Sequence, residues 1–137
     1  MRRLRDDTGT ITAFVAVFMV AVFAVIGLVV DATGQMRAVA RTEHIAAEAA
    51  RTGGQAIDVA TELSGGPILL DPNQAIAAAD AYLAEAGATS RSKVTISADR
   101  LHITVTAVFE YQPFVLGAFG VGTREITATV TADVVPQ

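Results

Sequence analysis

Residues 6–34 read DDTGTITAFVAVFMVAVFAVIGLVVDATG, and the organisation of the whole chain turns on this stretch. No side chain from Ile11 to Val30 is charged. About twenty residues at a rise of about 1.5 Å cover a hydrocarbon core of about 30 Å. Thirteen of the twenty are Val, Phe, Ile or Leu, including Phe14, Phe18 and Phe23. Each of these contributes about −0.3 to −0.6 kcal/mol to insertion, so about −4 to −8 kcal/mol favours a membrane-spanning helix, which one Thr and one Gly do not reverse.

Two other readings compete. A secretory signal peptide also follows a basic start such as MRRLR and ends near small residues, here at Ala32 or Gly34. Its apolar region is usually shorter, about 7 to 15 residues, and both small-residue sites match indifferently, which favours a retained anchor. A buried soluble helix would need cover on every side, and the remaining chain of this 137-residue protein is too small to supply it. Arg2, Arg3 and Arg5 precede the span. Basic residues near a span end stay cytoplasmic, so the sequence predicts a leader over 1–10 inside, a span over 11–30, and a domain over 31–137 outside.

That outer part carries seven basic and twelve acidic residues, a balance of −5, and offers no basic footprint for nucleic acid. It has no Cys, so packing alone must hold it together. From Asp31 to about Leu63 the residues are polar, Ala-rich and free of Pro, and the spacing predicts that the span's helix continues outward. Met36, Val39, Ala40, Ala46, Ala47, Ala50, Gly54, Ile57 and Leu63 are expected on one face, with a bend or break at Gly53-Gly54. This face either packs on the chain's own sheet or, through Ala46, Ala50 and Gly54, lets another subunit's helix approach closely.

Asp71-Pro72 is a helix start, with Asp71 as N-cap and Pro72 at the first helical position. A second helix is expected to about Ala86, with Ile76, Ala79, Tyr82 and Leu83 as its apolar stripe and Gly87 as its stop. The period then changes from helical to alternating. Val94 and Ile96 lead to a two-residue hairpin turn at Asp99-Arg100, which pairs Ala98 with Leu101, Ile96 with Ile103 and Val94 with Val105. A third strand places Ile126, Ala128, Val130, Ala132 and Val134 inward and Thr127, Thr129 and Thr131 outward. The expected class is therefore α+β, with a three-stranded antiparallel sheet whose apolar side is covered by the two helices. Between the last two strands lies YQPFVLGAFGVG, which has no charge and contains Phe114, Leu116 and Phe119. A solvated loop is not built this way. It either tucks over the open end of the sheet or touches a partner subunit or the membrane surface.

The sequence shows no constellation for a reaction. His44 and His102 lack ligand spacing and are expected to be solvated, no Ser has a triad or elbow context, and Gly65-Gly66-Pro67 lacks the Lys of a phosphate loop. No cofactor, metal or small-molecule substrate is indicated.

The stretch GTITAFVAVFMVAVFAVIGLVVD, with the Ala- and Arg-rich run to Ala60 and, less specifically, LDPNQAIAAADAYLAEAGA and the loop FVLGAFGVG, resembles the TadE/TadG-like family of tight-adherence (Tad, or Flp) pilus assembly proteins, and the resemblance covers most of the chain. The resemblance implies a bacterial cytoplasmic-membrane protein of pseudopilin type, whose partners are other pilin-like or assembly-platform proteins. It also implies a prepilin peptidase that cuts after Gly9 and leaves Thr10 as the new N-terminus. Prototypical members carry Glu at the fifth mature position, whereas here that position is Phe14. An accessory or minor role is therefore implied over a shaft subunit. The alternative of a different class is a secreted, soluble α+β binding module whose signal peptide has been removed.

Overall fold

The computed structural model describes residues 8–134, so the basic cluster of the leader lies outside the described residues. One helix, α1 (Thr8–Gly54), takes up 47 residues and is about 70 Å long at the standard rise. It contains no Pro, and nothing interrupts its hydrogen-bond ladder until Gly53-Gly54. Its first part stands apart from the rest of the protein. Among residues 11–30 only Gly27 is buried, and Phe14, Val17 and Phe23 are each about 70% exposed. Phe14 and Phe18 stack on one another with ring centroids 6.4 Å apart. The helix is long and apolar enough to cross a membrane, and its apolar surface is not used to build a core.

The second part of α1 is the spine of a small domain. Ile45, Ala46, Ala49, Ala50 and Gly53 are buried on one face, joined by Thr42, whose hydroxyl donates to the Ala38 carbonyl at 2.9 Å. The buried face is rotated from the expected one. Ala46 and Ala50 are inside, but Met36, Ala40 and Ala47 face outward. In a helix with Ala at so many positions, apolar contrast around the axis is weak, and the surface that the helix meets sets its phase. The helix also stops at Gly54 and does not continue to Leu63. At Gly53 a Cβ would collide with Ile103 Cδ1 and stand 2.8 Å from the carbonyl oxygen of Ala75. Only glycine permits this approach to the next helix. After a tight turn, Ile57 pairs with Leu70 in an isolated antiparallel bridge, and a short helix, α2 (Val59–Leu63), follows. Asp58 caps α2 through Thr61 and forms an ion pair with Arg100 at 2.8 Å.

Helix α3 (Pro72–Glu85) starts at the expected cap, with the Asp71 carboxylate accepting from the amides of Asn73 and Gln74 at 3.0 and 3.1 Å. Gly87, with φ of 80°, turns the chain out of it. Its buried residues are Ala75, Ala79 and Leu83, with Tyr82 packed at the margin; Ile76, expected in this stripe, is half-buried.

The sheet is antiparallel in the order β1 (Lys93–Ile96), β2 (His102–Tyr111), β3 (Arg124–Asp133). Val94 pairs with Val105 and Ile96 with Ile103, the register read from the sequence. The turn is wider than expected. The Arg100 amide donates to the Ser97 carbonyl at 2.9 Å, and the Ser97 hydroxyl accepts from the His102 amide at 3.0 Å. A two-residue type I′ turn needs φ above zero at both central residues. Here only Arg100 adopts it, with φ of 59°, and the loop opens by one residue on each side. On β3, Ile126 and Ala128 are buried and Thr127, Thr129 and Thr131 are exposed. Helices α1 and α3 cover the apolar face, where Ile103, Val105 and Ala107 are fully buried. The other face carries a ladder of threonines, Thr104 to Thr131 at 2.9 Å and Thr106 to Thr129 at 3.0 Å.

Candidate functional site

The uncharged loop between β2 and β3 holds a single helical turn, α4 (Val115–Ala118). A helix start leaves amide N–H groups without partners, and no side chain of the loop caps this one. The cap comes from α1. One oxygen of the Asp31 carboxylate accepts from the amides of Phe114 and Val115 at 2.9 and 3.0 Å, and the other accepts from Leu116 at 2.6 Å. The Tyr111 hydroxyl donates to the Asp31 carbonyl at 3.2 Å. Asp31 is only 4% exposed. Burial works to raise its pKa, and the bonds from Leu116, Val115 and Phe114 outweigh that, so the carboxyl lies below its ordinary value.

Two glycines on the same face of α1 let the loop approach. A Cβ at Gly27, one turn before Asp31, would stand 2.6 Å from Val115 Cγ1. At Gly34, nearly one turn after it, a Cβ would stand 2.5 Å from the Tyr111 hydroxyl. Gly27, Asp31 and Gly34 therefore form a seat for the loop, with buried Pro113 at its margin. The loop does not hide its large apolar groups. Leu116 and Val115 are half-buried by the seat, while Phe114 is 83% and Phe119 82% exposed.

The other residues singled out in the sequence fall elsewhere. Gly9 and Thr10 lie in the first turns of α1, both exposed. Ile11, Phe14, Phe18, Phe23 and Val30 are all exposed along the apolar part. Ala46 and Ala50 are fully buried against the chain's own sheet and α3, and Gly54 is half-buried beside Ile103. His44 is exposed. His102 is paired, not simply solvated, with Nδ1 2.6 Å from Asp133 and Nε2 3.7 Å from Asp99. The strand pairing brings Asp133 to it from 31 residues away. No group of three or more His, Cys, Asp or Glu able to hold a metal occurs among the described residues. Sequence reading missed the role of Asp31. Its signal was there: a lone acid at the edge of an apolar run, with glycine four residues before and three after.

An apolar helical segment that is long and apolar enough to cross a membrane is continuous with the spine of a small α+β domain. Residues 9–56 match the family model described as putative Flp pilus-assembly TadE/G-like. The match coincides almost residue for residue with α1 and leaves α3 and the sheet outside it. Together the matched segment and the apolar helix fit a Tad-associated membrane protein. No curated protein and no solved structure matches this chain.

Proposed function

We propose that this chain is a membrane-anchored, pseudopilin-like accessory protein of a Tad/Flp-type pilus or secretion system. Residues 1–10 form the cytoplasmic leader, 11–30 the span and 31–137 the outer domain, which works alongside other pilin-like or assembly-platform proteins. The observation that carries this reading is the coincidence of the family match with a helix whose apolar part is exposed on all sides but the one where Gly27 meets the loop. Phe14 stands where a shaft-forming subunit carries an acid, which favours an accessory role over a polymerising one. Gly9 and Thr10 are exposed in the first described turn of α1, which supports reading the bond between them as one open to a prepilin peptidase.

The secreted, signal-peptide alternative fits less well. Cleavage after Ala32 or Gly34 would cut inside a continuous helix and strip Asp31 from the three amides it caps. Intact-mass measurement and N-terminal sequencing of the membrane-extracted protein test the proposal. A chain beginning at Thr10 is expected, and Gly9→Val leaves the leader attached. A start at Met1 removes the processing step but keeps the anchor. A start at Thr33 or Gln35, recovered from the culture supernatant, refutes the membrane role.

A further inference from the structure

The loop that carries α4 is fixed with its apolar side chains presented to the outside. Its first three amides are satisfied by a buried carboxylate, so the backbone there needs no water, a condition for lying in or near lipid. Its depth is set by Gly27. Val115 packs on this residue, three positions inside the end of the span at Val30, or about 4–5 Å along the axis. Phe114 borders the same shallow cleft as Val29 and Val30, continuous with the apolar surface of the span. From Pro113 to Thr123 there is no charged residue.

The groups just above have the opposite character. Arg124 shares a cleft with Leu28, Asp31 and Leu116. Arg37 shares one with Val30, Tyr111 and Phe114. Two exposed arginines flank the uncharged loop close to the end of the apolar run, and Tyr111 lies between them, residue types that membrane interfaces select.

We propose that α4 and its flanks are a second, non-spanning membrane contact, in which Phe114 and Phe119 enter the headgroup–acyl boundary of the outer leaflet. Arg37 and Arg124 face the lipid phosphates. The occupant of this apolar surface is the bilayer itself, because the surface continues that of the span without a gap. The inference rests on the proposed span, and the test separates the two.

The chain contains no Trp, so single replacements give unambiguous fluorescence reporters. Four full-length variants, Phe114→Trp, Phe119→Trp, Phe18→Trp and Leu63→Trp, are reconstituted into phosphatidylcholine vesicles brominated either near the glycerol end or near the middle of the acyl chain. Leu63 is 83% exposed in α2, on the far side of the domain, and serves as the aqueous control. Trp at 114 and at 119 is expected to emit at blue-shifted wavelengths and to lose most of its emission to the shallow bromines and less to the deep ones. Trp at 18 shows the reverse order, and Trp at 63 is unaffected. If 18 is quenched while 114 and 119 behave like 63, the loop lies in water and the proposal is overturned with the anchor intact. Blue-shifted emission at 114 and 119 without quenching by either lipid places the loop against protein and also overturns it. Absence of quenching at 18 defeats the span, and the loop proposal with it.

Discussion

Gly53 and Gly54 are neighbours in the same last turn of α1, and replacing each with Ala is expected to change stability in opposite directions. At Gly54 the added methyl meets only Ile103 Cγ2, at 3.8 Å, an ordinary contact. The substitution then gains helix propensity, up to about 1 kcal/mol. At Gly53 the same methyl overlaps Ile103 Cδ1 and stands 2.8 Å from the Ala75 carbonyl oxygen. The isoleucine can rotate, but the carbonyl moves only if α3 moves. Overpacking of this kind costs about 1–3 kcal/mol. Set against the same gain in propensity, a net loss of up to about 2 kcal/mol remains, toward the upper end because a backbone atom is in the way. In a domain of this size each kcal/mol shifts the midpoint by about 4–8 °C. Thermal melts of the detergent-solubilised full chain, followed by far-ultraviolet circular dichroism of the sheet, measure it. Gly53→Ala should melt well below the wild type and Gly54→Ala at or slightly above it. Adding Ile103→Val, which removes the overlapping Cδ1, should recover part of the Gly53→Ala loss. If Gly53→Ala is as stable as the wild type, or both variants shift together, the close approach of α1 to α3 is not the reason the helix carries glycine there.

Three further outcomes are expected. In Asp31→Asn, an amide NH2 replaces an acceptor facing three N–H donors, so the backbone amides of residues 114–116 should lose hydrogen-exchange protection while those of β2 and β3 keep theirs. Because the Asp31 carboxyl is lowered in the fold, its contribution is complete above the unfolded value of about 3.9 and is lost only as pH falls through the lower folded value. Protection in the wild type should therefore persist from neutral pH into the ordinary carboxylate range and fail below it; unchanged protection in Asp31→Asn would remove the clamp from the account. Asp71→Ala leaves the amides of Asn73 and Gln74 without their cap and should cost about 0.5–2 kcal/mol, read as a lower melting midpoint with the sheet register unchanged.

Much of the α+β part of the chain was legible because alternation in a one-sided sheet is unforgiving. A slip by one residue would have put Val94 and Ile96 on the opposite face from Ile103 and Val105, so the pairing Val94 to Val105 could be read directly. Asp71-Pro72 was legible because both residues serve the same helix start by separate mechanisms. The phase of α1 was not. Ala38, Ala40, Ala46, Ala47, Ala49 and Ala50 differ too little from one another for the sequence to say which face the sheet takes, and Thr42 sits inside only because its hydroxyl bonds back to Ala38. The hairpin turn was misjudged for a related reason: Asp99-Arg100 pins the register, while the width of the turn depends on a side-chain bond from Ser97. The clamp was least visible of all, since Asp31 and the amides it holds are more than 80 residues apart and the amides belong to no recognisable motif.

The unbroken run of α1 through both parts of the protein has a mechanical side. A tether of loop residues would stretch and swivel, but this connection is a hydrogen-bonded rod with two fastenings, one at Asp31 and one near Gly53, about 33 Å apart along the axis. Fastened at two points, the layer of sheet and short helices acts as a splint on that length of rod and resists its bending. It is also keyed to it in rotation, so a twist of the apolar segment about its own axis turns the threonine face of the sheet through the same angle. A pull on the hairpin tip at Arg100 is carried into α1 as tension and torque before any chain can pay out.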